Sequence, residues 1–368
     1  MKYFWNLLKN LDKSLLFLTF IFALISIIMV GSTAYEDHFI FSRDVIVQMM
    51  AYGLGVICVF CMIFIDYKVY ENLEKLIYGL SIILLLTVYI PGLGKEQFGA
   101  RSWIDLKIIT LQPSELVKIT YIILLAIYLS RNRNNLYNLK GIIKAFLYAA
   151  PFIIIVLKED LGSAIVFCVI WVVMVFFAGI DYKLFAKLAC LFIFLLPIAY
   201  RFMASHQKDR IDAFLHPDNL SLPGNYQVLQ SKIAIGSGGV FGKGLFQGTQ
   251  KGLDFLPVQK SDFIFSVICE ELGLLGGLVL IALFTIFLYR LAIIAKDSID
   301  LYGALIAVGV IAMFGFQIFE NIAMSMGIMP VTGITLPFIS YGGSAVLSNM
   351  IALGLVLSIG MRSKVINF

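Results

Sequence analysis

Long apolar stretches, nearly free of charged residues, dominate the pattern of hydrophobic and polar positions along the chain. Stretches of this length, at 1.5 Å per helical residue, cross about 30 Å of hydrocarbon. The pattern therefore predicts an all-α polytopic membrane protein with about ten transmembrane helices. The ten stretches lie at 14–33, 45–65, 75–92, 114–130, 142–157, 161–179, 184–204, 263–289, 302–326 and 338–360.

The overall composition agrees with this pattern. The chain is 60% hydrophobic and 14% charged, with a mean hydropathy of +0.94, which is far more apolar than an ordinary soluble domain. Its net charge of +5 reflects the loops between the apolar stretches and does not point to nucleic-acid binding. No shift of composition marks a second domain, so we expect one transmembrane domain over 1–368.

The positions of Lys and Arg predict the orientation. In the short loops these residues fall mostly on one side, for example at Lys68, Arg131 and Lys183, and the positive-inside rule makes that side cytoplasmic. Both termini are then cytoplasmic, and one large loop at about 205–262, between helices seven and eight, is extracytoplasmic. No small-residue cleavage site follows the first apolar stretch, which favours a retained helix over a removed signal peptide.

Polar residues at the entrance of the fourth apolar stretch, "FGARSWIDLKIITLQPSELVK" at 98–118, depart from the apolar pattern. Pro113 and Glu115 suit a first helical turn. Lys118 lies about one turn inside, on the same helix face as Glu115, so the two form either a structural ion pair or part of a polar site. Arg101 and Trp103 are either an interfacial anchor or part of that site.

Charged residues also mark the junction between the fifth and sixth stretches, in "LKEDLGSAIVF" at 157–167. Asp160 is well suited to cap the sixth helix. The alternative is that this turn approaches a site shared with the polar residues of 98–118.

The glycine-rich segment "GSGGVFGKG" of the large loop resembles a phosphate-binding loop but lacks its spacing. A P-loop requires G-x-x-x-x-G-K followed by Ser or Thr, whereas Gly244 follows Lys243 here and Ser237 lies five residues before Gly242. Two interpretations are left: a flexible external loop, or a backbone that approaches an anionic ligand closely, with Arg210 and Lys243 among its partners.

Two further segments place polar groups beside apolar helices. "LPVQKSDFIFSVICEELG" at 256–273 has Asp262 at the mouth of a helix and Glu270 and Glu271 about two turns deeper. "GIMPVTGITLPFISYGGSA" has prolines and glycines that imply broken backbone, which is tolerated at membrane depth only where protein or a water-filled cavity receives the polar groups. Such a cavity is a candidate site.

Six of these segments together carry a family resemblance. "GARSW", "QPSELVK", "EDLGSAIVF", "YQVLQSKIAIGSGGVFGKG", "SDFIFSVICEELG" and "GITLPFISYGGSA" resemble, in order, motifs of the SEDS family (shape, elongation, division and sporulation). The resemblance implies a peptidoglycan glycosyltransferase that polymerises lipid II at the outer face of the bacterial cytoplasmic membrane. The short N-terminus favours the RodA type, which serves cell elongation and rod shape, over the division-specific FtsW type.

The resemblance also implies partners and site residues. The expected partners are a class B penicillin-binding protein and other elongation-complex membrane proteins. Nucleic acid is not expected as a partner. Asp262 is the expected catalytic residue, acting as general base on a sugar hydroxyl. Lys118, Arg101, Arg210 or a divalent cation, Mg²⁺ or Mn²⁺, would supply positive charge for the leaving pyrophosphate. The expected substrate contacts are Arg101, Trp103, Gln112, Glu115, Lys118, Asp160, Arg210, Lys243, Ser261, Ser340, Tyr341, Gly342 and Gly343.

The chain departs from the family pattern immediately before Asp262. Where the family has L-P-E-x-H-T-D-F, Val258 replaces the glutamate, Lys260 the histidine and Ser261 the threonine. Desolvation is expected to raise the pKa of Asp262, and Lys260 to oppose that effect by favouring the ionised carboxylate. Glu270 and Glu271 are interpreted as buried polar partners of neighbouring helices, with a role in gating as the alternative.

Two other classes of function remain open at this stage. A transporter, such as a lipid II flippase, would require much the same headgroup site, but with a polar path that continues to the cytoplasmic side. A scaffold that only recruits the penicillin-binding protein would leave the polar groups at Asp262 and at Glu115 and Lys118 without a role.

Overall fold

The structure is a computed structural model that describes residues 9–33, 41–97, 100–105, 110–252 and 255–363, apart from some side chains within these ranges. Almost all of its regular secondary structure is helical. The helices, numbered in chain order, are α1 Lys13–Ser32, α2 Arg43–Phe64, α3 Val69–Asn72, α4 Glu74–Leu86, α5 Pro113–Arg131, α6 Leu139–Glu159, α7 Leu161–Ala178, α8 Tyr182–Phe202, α9 Ser205–Leu215, α10 Asn225–Ser237, α11 Thr249–Gly252, α12 Ile264–Lys296, α13 Leu301–Ser325 and α14 Gly343–Ser363.

The fold confirms the predicted all-α, polytopic membrane protein. Within the described ranges, eight helices are long and apolar enough to span a membrane: α1, α2, α5, α6, α7, α12, α13 and α14. Helices α4 and α8 occupy the two other predicted stretches, but α4 has only 13 residues and gives way to a 3₁₀ turn at Thr87–Tyr89. The number of membrane crossings, the orientation and the single-domain organisation stay predictions.

A small antiparallel sheet precedes α5 and was not predicted. Its strands are β1 Gly94–Gln97, β2 Ala100–Asp105 and β3 Thr110–Leu111. In the pairing, Lys95 lies opposite Trp103, and Ile104 lies opposite Leu111. The strands are too short to produce a clear two-residue periodicity, which explains why the sequence pattern did not show them.

The large loop at 205–262 is folded, with α9, α10 and α11 inside it. Its glycine-rich part packs against a break in α12, where Gly273 has φ 71° and ψ −169°. There, the backbone N–H groups of Lys243 and Gly244 donate to the carbonyl oxygens of Glu270 and Glu271, at 3.0 Å each. The prediction of one continuous helix over 263–289 was therefore wrong at Gly273, a residue that tolerates positive φ.

A cluster of phenylalanine rings fills the centre of the helical bundle. Phe338 lies between α13 and α14, and its ring centroid is 5.9 Å from that of Phe22 and 5.3 Å from that of Phe314. The segment that carries Phe338 is non-helical, so the last helix begins at Gly343 and not at 338 as predicted. This broken segment is hydrogen-bonded to the residues just before Asp262.

Candidate active site

A cavity of about 890 Å³ lies where the large loop, the broken segment before α14 and the beginnings of α2, α5 and α7 meet. It brings together most of the residues that the sequence predicted as a site. Those that line it are Trp103, Gln112, Glu115, Lys118, Asp160, Arg210, Ser261, Asp262, Tyr341, Gly342 and Gly343.

Asp262 is held by a tight turn immediately before α12. The carbonyl oxygen of Val258 accepts hydrogen bonds from the N–H groups of Ser261, at 3.2 Å, and Asp262, at 3.1 Å. The Ser261 hydroxyl donates to Asp262 Oδ1 at 2.8 Å. Val258 has φ 57°, which is rare for a β-branched residue. The turn thus fixes both the backbone and one carboxylate oxygen of Asp262.

The broken segment before α14 is hydrogen-bonded to this turn. Tyr341 N donates to the Lys260 carbonyl oxygen at 2.9 Å, and the Ser340 hydroxyl donates to the Ser261 carbonyl oxygen. The Asn321 side-chain amide joins the two segments, since it donates at 2.8 Å to both Asp262 O and Ile334 O. Ser340 is buried and does not line the cavity, so the structure assigns it support of the turn and not substrate contact.

Burial raises the pKa of Asp262 above its ordinary value, as expected from the sequence. The Ser261 hydrogen bond and the positive charge of Arg210 oppose this effect, whereas the negative charge of Asp160 adds to it. A carboxylate with a raised pKa is a stronger base once ionised. The environment of Asp262 therefore suits a general base.

Arg210 reaches the site from α9 and is anchored to the broken segment. Its Nη1 donates to the Thr332 carbonyl oxygen at 3.0 Å, and the Thr332 hydroxyl donates to Glu320 Oε1 at 2.8 Å. The next residue, Gly333, has φ 75°, and a Cβ placed there would lie 3.6 Å from Asp262 Oδ2. The guanidinium is thus fixed close to the carboxylate by backbone contacts.

Asp160 both caps α7 and lines the cavity. Its Oδ1 accepts from Ser163 N at 3.3 Å, and its Oδ2 accepts from the Ser163 hydroxyl at 2.6 Å and from Gln112 Nε2 at 3.1 Å. The capping role suggested by the sequence is confirmed. The contact with Gln112 also joins this turn to the start of α5, as the shared-site alternative required.

Glu115 and Lys118 form a buried ion pair in the cavity wall. Lys118 Nζ lies 2.6 Å from Glu115 Oε1, and the lysine side chain is only 1% exposed. The Ser348 hydroxyl donates to the Glu115 carbonyl oxygen at 2.6 Å, which ties this turn of α5 to α14. The structural ion pair anticipated from the i, i+3 spacing is present, and both residues also line the cavity.

Lys260 pairs with Asp44 and not with its sequence neighbour Asp262. Its Nζ lies 2.5 Å from Asp44 Oδ2 and 4.9 Å from the ring centroid of Tyr341. Burial and the nearby Asp44 raise the pKa of Tyr341 to about 12. The expectation that Lys260 favours ionisation of Asp262 was wrong, because its ammonium is neutralised by Asp44 and the cation that lowers the pKa of Asp262 is Arg210.

Lys243, another expected substrate contact, does not line the cavity, and the side chain of Arg101 cannot be assigned to it. Lys243 Nζ donates to Glu270 Oε1 at 2.7 Å and to the Thr249 hydroxyl at 2.6 Å, beside the break in α12. This contact arises because the glycine-rich loop packs on the helix and leaves Lys243 next to a buried carboxylate. Arg101 lies in β2 next to the cavity-lining Ser102, and its side chain lies outside the described part of the chain.

Glu270 and Glu271 are fully buried, as expected. Glu271 has a partner on a neighbouring helix, as predicted, whereas the partners of Glu270 lie in the large loop. Glu270 also accepts a hydrogen bond from Gln250 N at 3.0 Å, and Glu271 accepts one from the Ser32 hydroxyl of α1. These contacts connect the broken helix to the large loop and to the first helix.

The sequence analysis missed cavity residues that lie far away in the chain. Arg43 and Asp44 begin α2, and Gln317 lies on α13, yet all three line the cavity. In the sequence, Arg43 and Asp44 look like an ordinary helix start. Gln317 looks like a single polar residue in an apolar run. For Gln317, the one available signal of a polar site was its spacing from two other polar residues, Glu320 and Asn321, at i, i+3 and i+4.

Within the described ranges, no group of three or more His, Cys, Asp or Glu side chains converges to hold a metal ion. Mg²⁺ is usually held by one or two carboxylates together with substrate phosphates and water. A divalent cation, Mg²⁺ or Mn²⁺, therefore stays a prediction.

Two relatives are similar to this chain over nearly its whole length. Stage V sporulation protein E of Bacillus subtilis is 36% identical over 364 residues, covering 96% of this chain and 98% of the relative. Peptidoglycan glycosyltransferase MrdB of Escherichia coli is 34% identical over 369 residues, covering 100% of this chain and 97% of the relative.

Solved structures show the same fold. The rod shape determining protein RodA of Thermus thermophilus superposes with a TM-score of 0.70 at 29% identity, covering 95% of this chain and 96% of that chain. A chain of a peptidoglycan synthase complex, solved to show how polymerization and crosslinking are coordinated, superposes with a TM-score of 0.80 at 28% identity, covering 96% and 98%. The FtsW/RodA/SpoVE family model, described as "Cell cycle protein", matches residues 9–365, and the chain therefore belongs to this family.

Proposed function

We propose that the protein is a peptidoglycan glycosyltransferase that polymerises lipid II into glycan strands. The observation that carries the proposal is the Asp262 carboxylate, held by a fixed turn in the wall of a large cavity beside Arg210. Relatives that cover nearly the whole chain are named peptidoglycan glycosyltransferases, which supports the same activity.

In the proposed reaction, a hydroxyl of one lipid-linked sugar attacks the anomeric carbon of a second. The new bond joins the hydroxyl oxygen to the anomeric carbon, and the bond from that carbon to the lipid pyrophosphate breaks with inversion. Asp262 takes the hydroxyl proton, and its raised pKa makes it a stronger base for that step. Ser261 keeps Oδ1 engaged at 2.8 Å and thereby orients the carboxylate.

The leaving pyrophosphate gains negative charge as the bond breaks, and a fixed cation stabilises it most effectively. Arg210 is well placed for this role, since its contact with Thr332 O holds the guanidinium close to Asp262. Lys118 and Lys260 are each neutralised by a carboxylate, at 2.6 Å and 2.5 Å. Arg101 stays a proposed contributor, because its strand neighbours Ser102 and Trp103 line the cavity.

The membrane setting follows from the same proposal. Lipid-linked substrate places the protein in the bacterial cytoplasmic membrane, with the cavity and the large loop facing outward. The fold shared with a chain of a peptidoglycan synthase complex supports a transpeptidase partner, a class B penicillin-binding protein. We propose a role in cell elongation and rod shape, together with other elongation-complex proteins, and the similarity to a rod shape determining protein supports it.

The test is polymerisation of lipid II by the purified protein, with and without its transpeptidase partner. Asp262→Asn, which removes the base but keeps the side-chain shape, should abolish glycan synthesis while the thermal melting curve stays unchanged. Asp181→Asn is the matched control, because Asp181 caps α8 away from the cavity and asparagine also caps helices well. Normal synthesis by Asp262→Asn, or lipid II transport in vesicles without any synthesis, would contradict the proposal.

A further inference from the structure

A buried carboxylate on α13 lies behind the cavity wall. Glu320 is only 1% exposed and is not one of the residues that line the cavity. Its Oε1 accepts from the Thr332 hydroxyl at 2.8 Å, and among the described residues no other donor reaches this carboxylate. An ionisable residue inside a membrane-spanning helix costs free energy and usually has a functional role. The role of Glu320 therefore depends on what Thr332 contacts.

Thr332 connects Glu320 to Arg210. While its side chain donates to Glu320, its backbone carbonyl oxygen accepts from Arg210 Nη1 at 3.0 Å. Helix α7 packs closely on the same carbonyl, because a Cβ added at Gly162 would lie 2.7 Å from the Thr332 oxygen. The carbonyl oxygen that anchors Arg210 is thus held in place by α13 through the side chain and by α7 through the backbone.

The next residue of α13 holds the proposed base. Asn321 Nδ2 donates at 2.8 Å to the backbone carbonyl oxygen of Asp262 and at 2.8 Å to that of Ile334. Two consecutive residues of one helix therefore hold Thr332, the anchor of Arg210, and the backbone of Asp262. Helix α13 thereby sets the spacing between the cation and the base.

We propose that Glu320 is a positioning residue, which keeps the Arg210 guanidinium beside Asp262 by holding Thr332. This role rests on the proposed function. Glu320 does not touch the substrate, since it lies outside the cavity lining and acts through Thr332. The role requires a hydroxyl at position 332 and an acceptor oxygen at position 320, and it does not require a negative charge there.

The pH dependence of polymerisation tests this role, because the charge of Arg210 lowers the pKa of Asp262. Thr332→Val and Glu320→Met each break the contact, so the guanidinium should move away and the acid limb of kcat should shift to higher pH, by up to about one unit. Thr332→Ser and Glu320→Gln keep the donor and the acceptor and should leave the limb in place. Loss of the Glu320 charge by itself would shift the limb to lower pH.

The charged groups of the cavity wall other than Arg210 stay the same in these variants. Asp160, at the start of α7, raises the pKa of Asp262 in all of them. The other charged groups near the cavity include Arg43, Asp209, the pair of Lys260 with Asp44 and the pair of Lys118 with Glu115. The shift therefore reports on Arg210, and adding Thr332→Val to Arg210→Gln should shift the limb no further.

Thr19→Val is the matched control for loss of a buried threonine hydroxyl. The Thr19 hydroxyl, in α1 and away from the cavity, donates to the Leu15 carbonyl oxygen at 2.8 Å. This variant should leave the acid limb in place. A shift as large as that of Thr332→Val would assign the effect to a general loss of packing and overturn the positioning role.

Binding of a short-chain isoprenyl pyrophosphate is a second measurement, made in proteins that also carry Asp262→Asn so that no turnover is needed. Thr332→Val should weaken this binding about three- to tenfold where Arg210 is present, and should have no effect in the Arg210→Gln background. Equal weakening in both backgrounds, or an acid limb unmoved in both Thr332→Val and Glu320→Met, would overturn the proposal. If the binding depends on Thr332 and Arg210 together but the wild-type protein never polymerises lipid II, the glycosyltransferase activity fails and the positioning role stands.

Discussion

Lys260 lies 2.5 Å from Asp44, so a lysine two residues before Asp262 is neutralised by a carboxylate of another helix. The charges that act on Asp262 come instead from Arg210, which lowers its pKa, and from Asp160, which raises it. Besides burial, the pKa of the proposed base is therefore shifted by charges on α9 and at the start of α7. Each charge makes a prediction of definite sign.

The pH dependence of polymerisation should shift in opposite directions in two variants. Activity requires ionised Asp262, so it falls on the acid side as the pH drops through the pKa of this carboxylate. Arg210→Gln removes a positive charge, raises that pKa further and should move the acid limb to higher pH. Asp160→Asn removes a negative charge, lowers the pKa and should move the limb to lower pH. Measuring kcat against pH in each variant checks both shifts.

Lys260→Gln combined with Asp44→Asn is the control for these shifts. This double variant removes the whole ion pair and therefore no net charge, so the acid limb should stay in place. A limb that moved in the double variant but not in Arg210→Gln would show that Arg210 is not the cation that acts on Asp262.

The buried pair on α5 should behave as a coupled unit. Either Lys118→Met or Glu115→Gln leaves one buried polar group without its partner, which typically costs about 3–5 kcal/mol. The double variant should recover part of that loss, since no unpaired charge remains. Thermal and denaturant melts of the two single variants and the double variant measure this coupling.

Activity measurements on the same variants separate stability from substrate contact. If Lys118 also reaches the substrate, the double variant should stay impaired in polymerisation even where its stability recovers. Recovery of both properties together would restrict the pair to a structural role.

The sequence predicted those parts of the site that depend on local signals. Pro113 begins α5, and Asp160 caps α7, because each residue type suits that position by itself. The family resemblance also predicted that Asp262 and Gln112 belong to one site, and both line the cavity. These features need no knowledge of long-range packing beyond the family resemblance.

Contacts between distant segments could not be predicted in this way. The pairing of Lys260 with Asp44 spans 216 positions, and that of Lys243 with Glu270 depends on how the glycine-rich loop packs on the break at Gly273. The periodicity of an apolar run is insensitive to a single glycine, so neither the break nor the contacts around it were apparent.

The Lys243–Glu270 contact makes a further prediction. Lys243→Met leaves the fully buried Glu270 carboxylate without its cation and should destabilise the protein by about 2–3 kcal/mol. The loss falls below the usual range for buried pairs because Thr249 Oγ1 and Gln250 N still donate to Glu270. Denaturant unfolding measures the loss, and Lys243→Met with Glu270→Gln should recover part of it. Unchanged stability together with weaker lipid II binding would support the substrate contact that the sequence suggested.

The last prediction concerns the backbone of Val258. A β-branched residue at φ 57° is strained by about 1–3 kcal/mol, and the conformation is retained here because the Val258 carbonyl oxygen accepts from both Ser261 N and Asp262 N. Asparagine adopts positive φ more readily than valine, so Val258→Asn should stabilise the protein by about 1 kcal/mol and keep its activity. Val47→Asn is the matched control, because Val47 also lines the cavity but lies inside α2, where asparagine is less favourable than in a left-handed turn.

Val258→Pro fixes φ near −65°, opens the turn and should abolish polymerisation through displacement of Asp262. Loss of stability in Val258→Asn, or full activity in Val258→Pro, would show that the positive φ is not what positions the base.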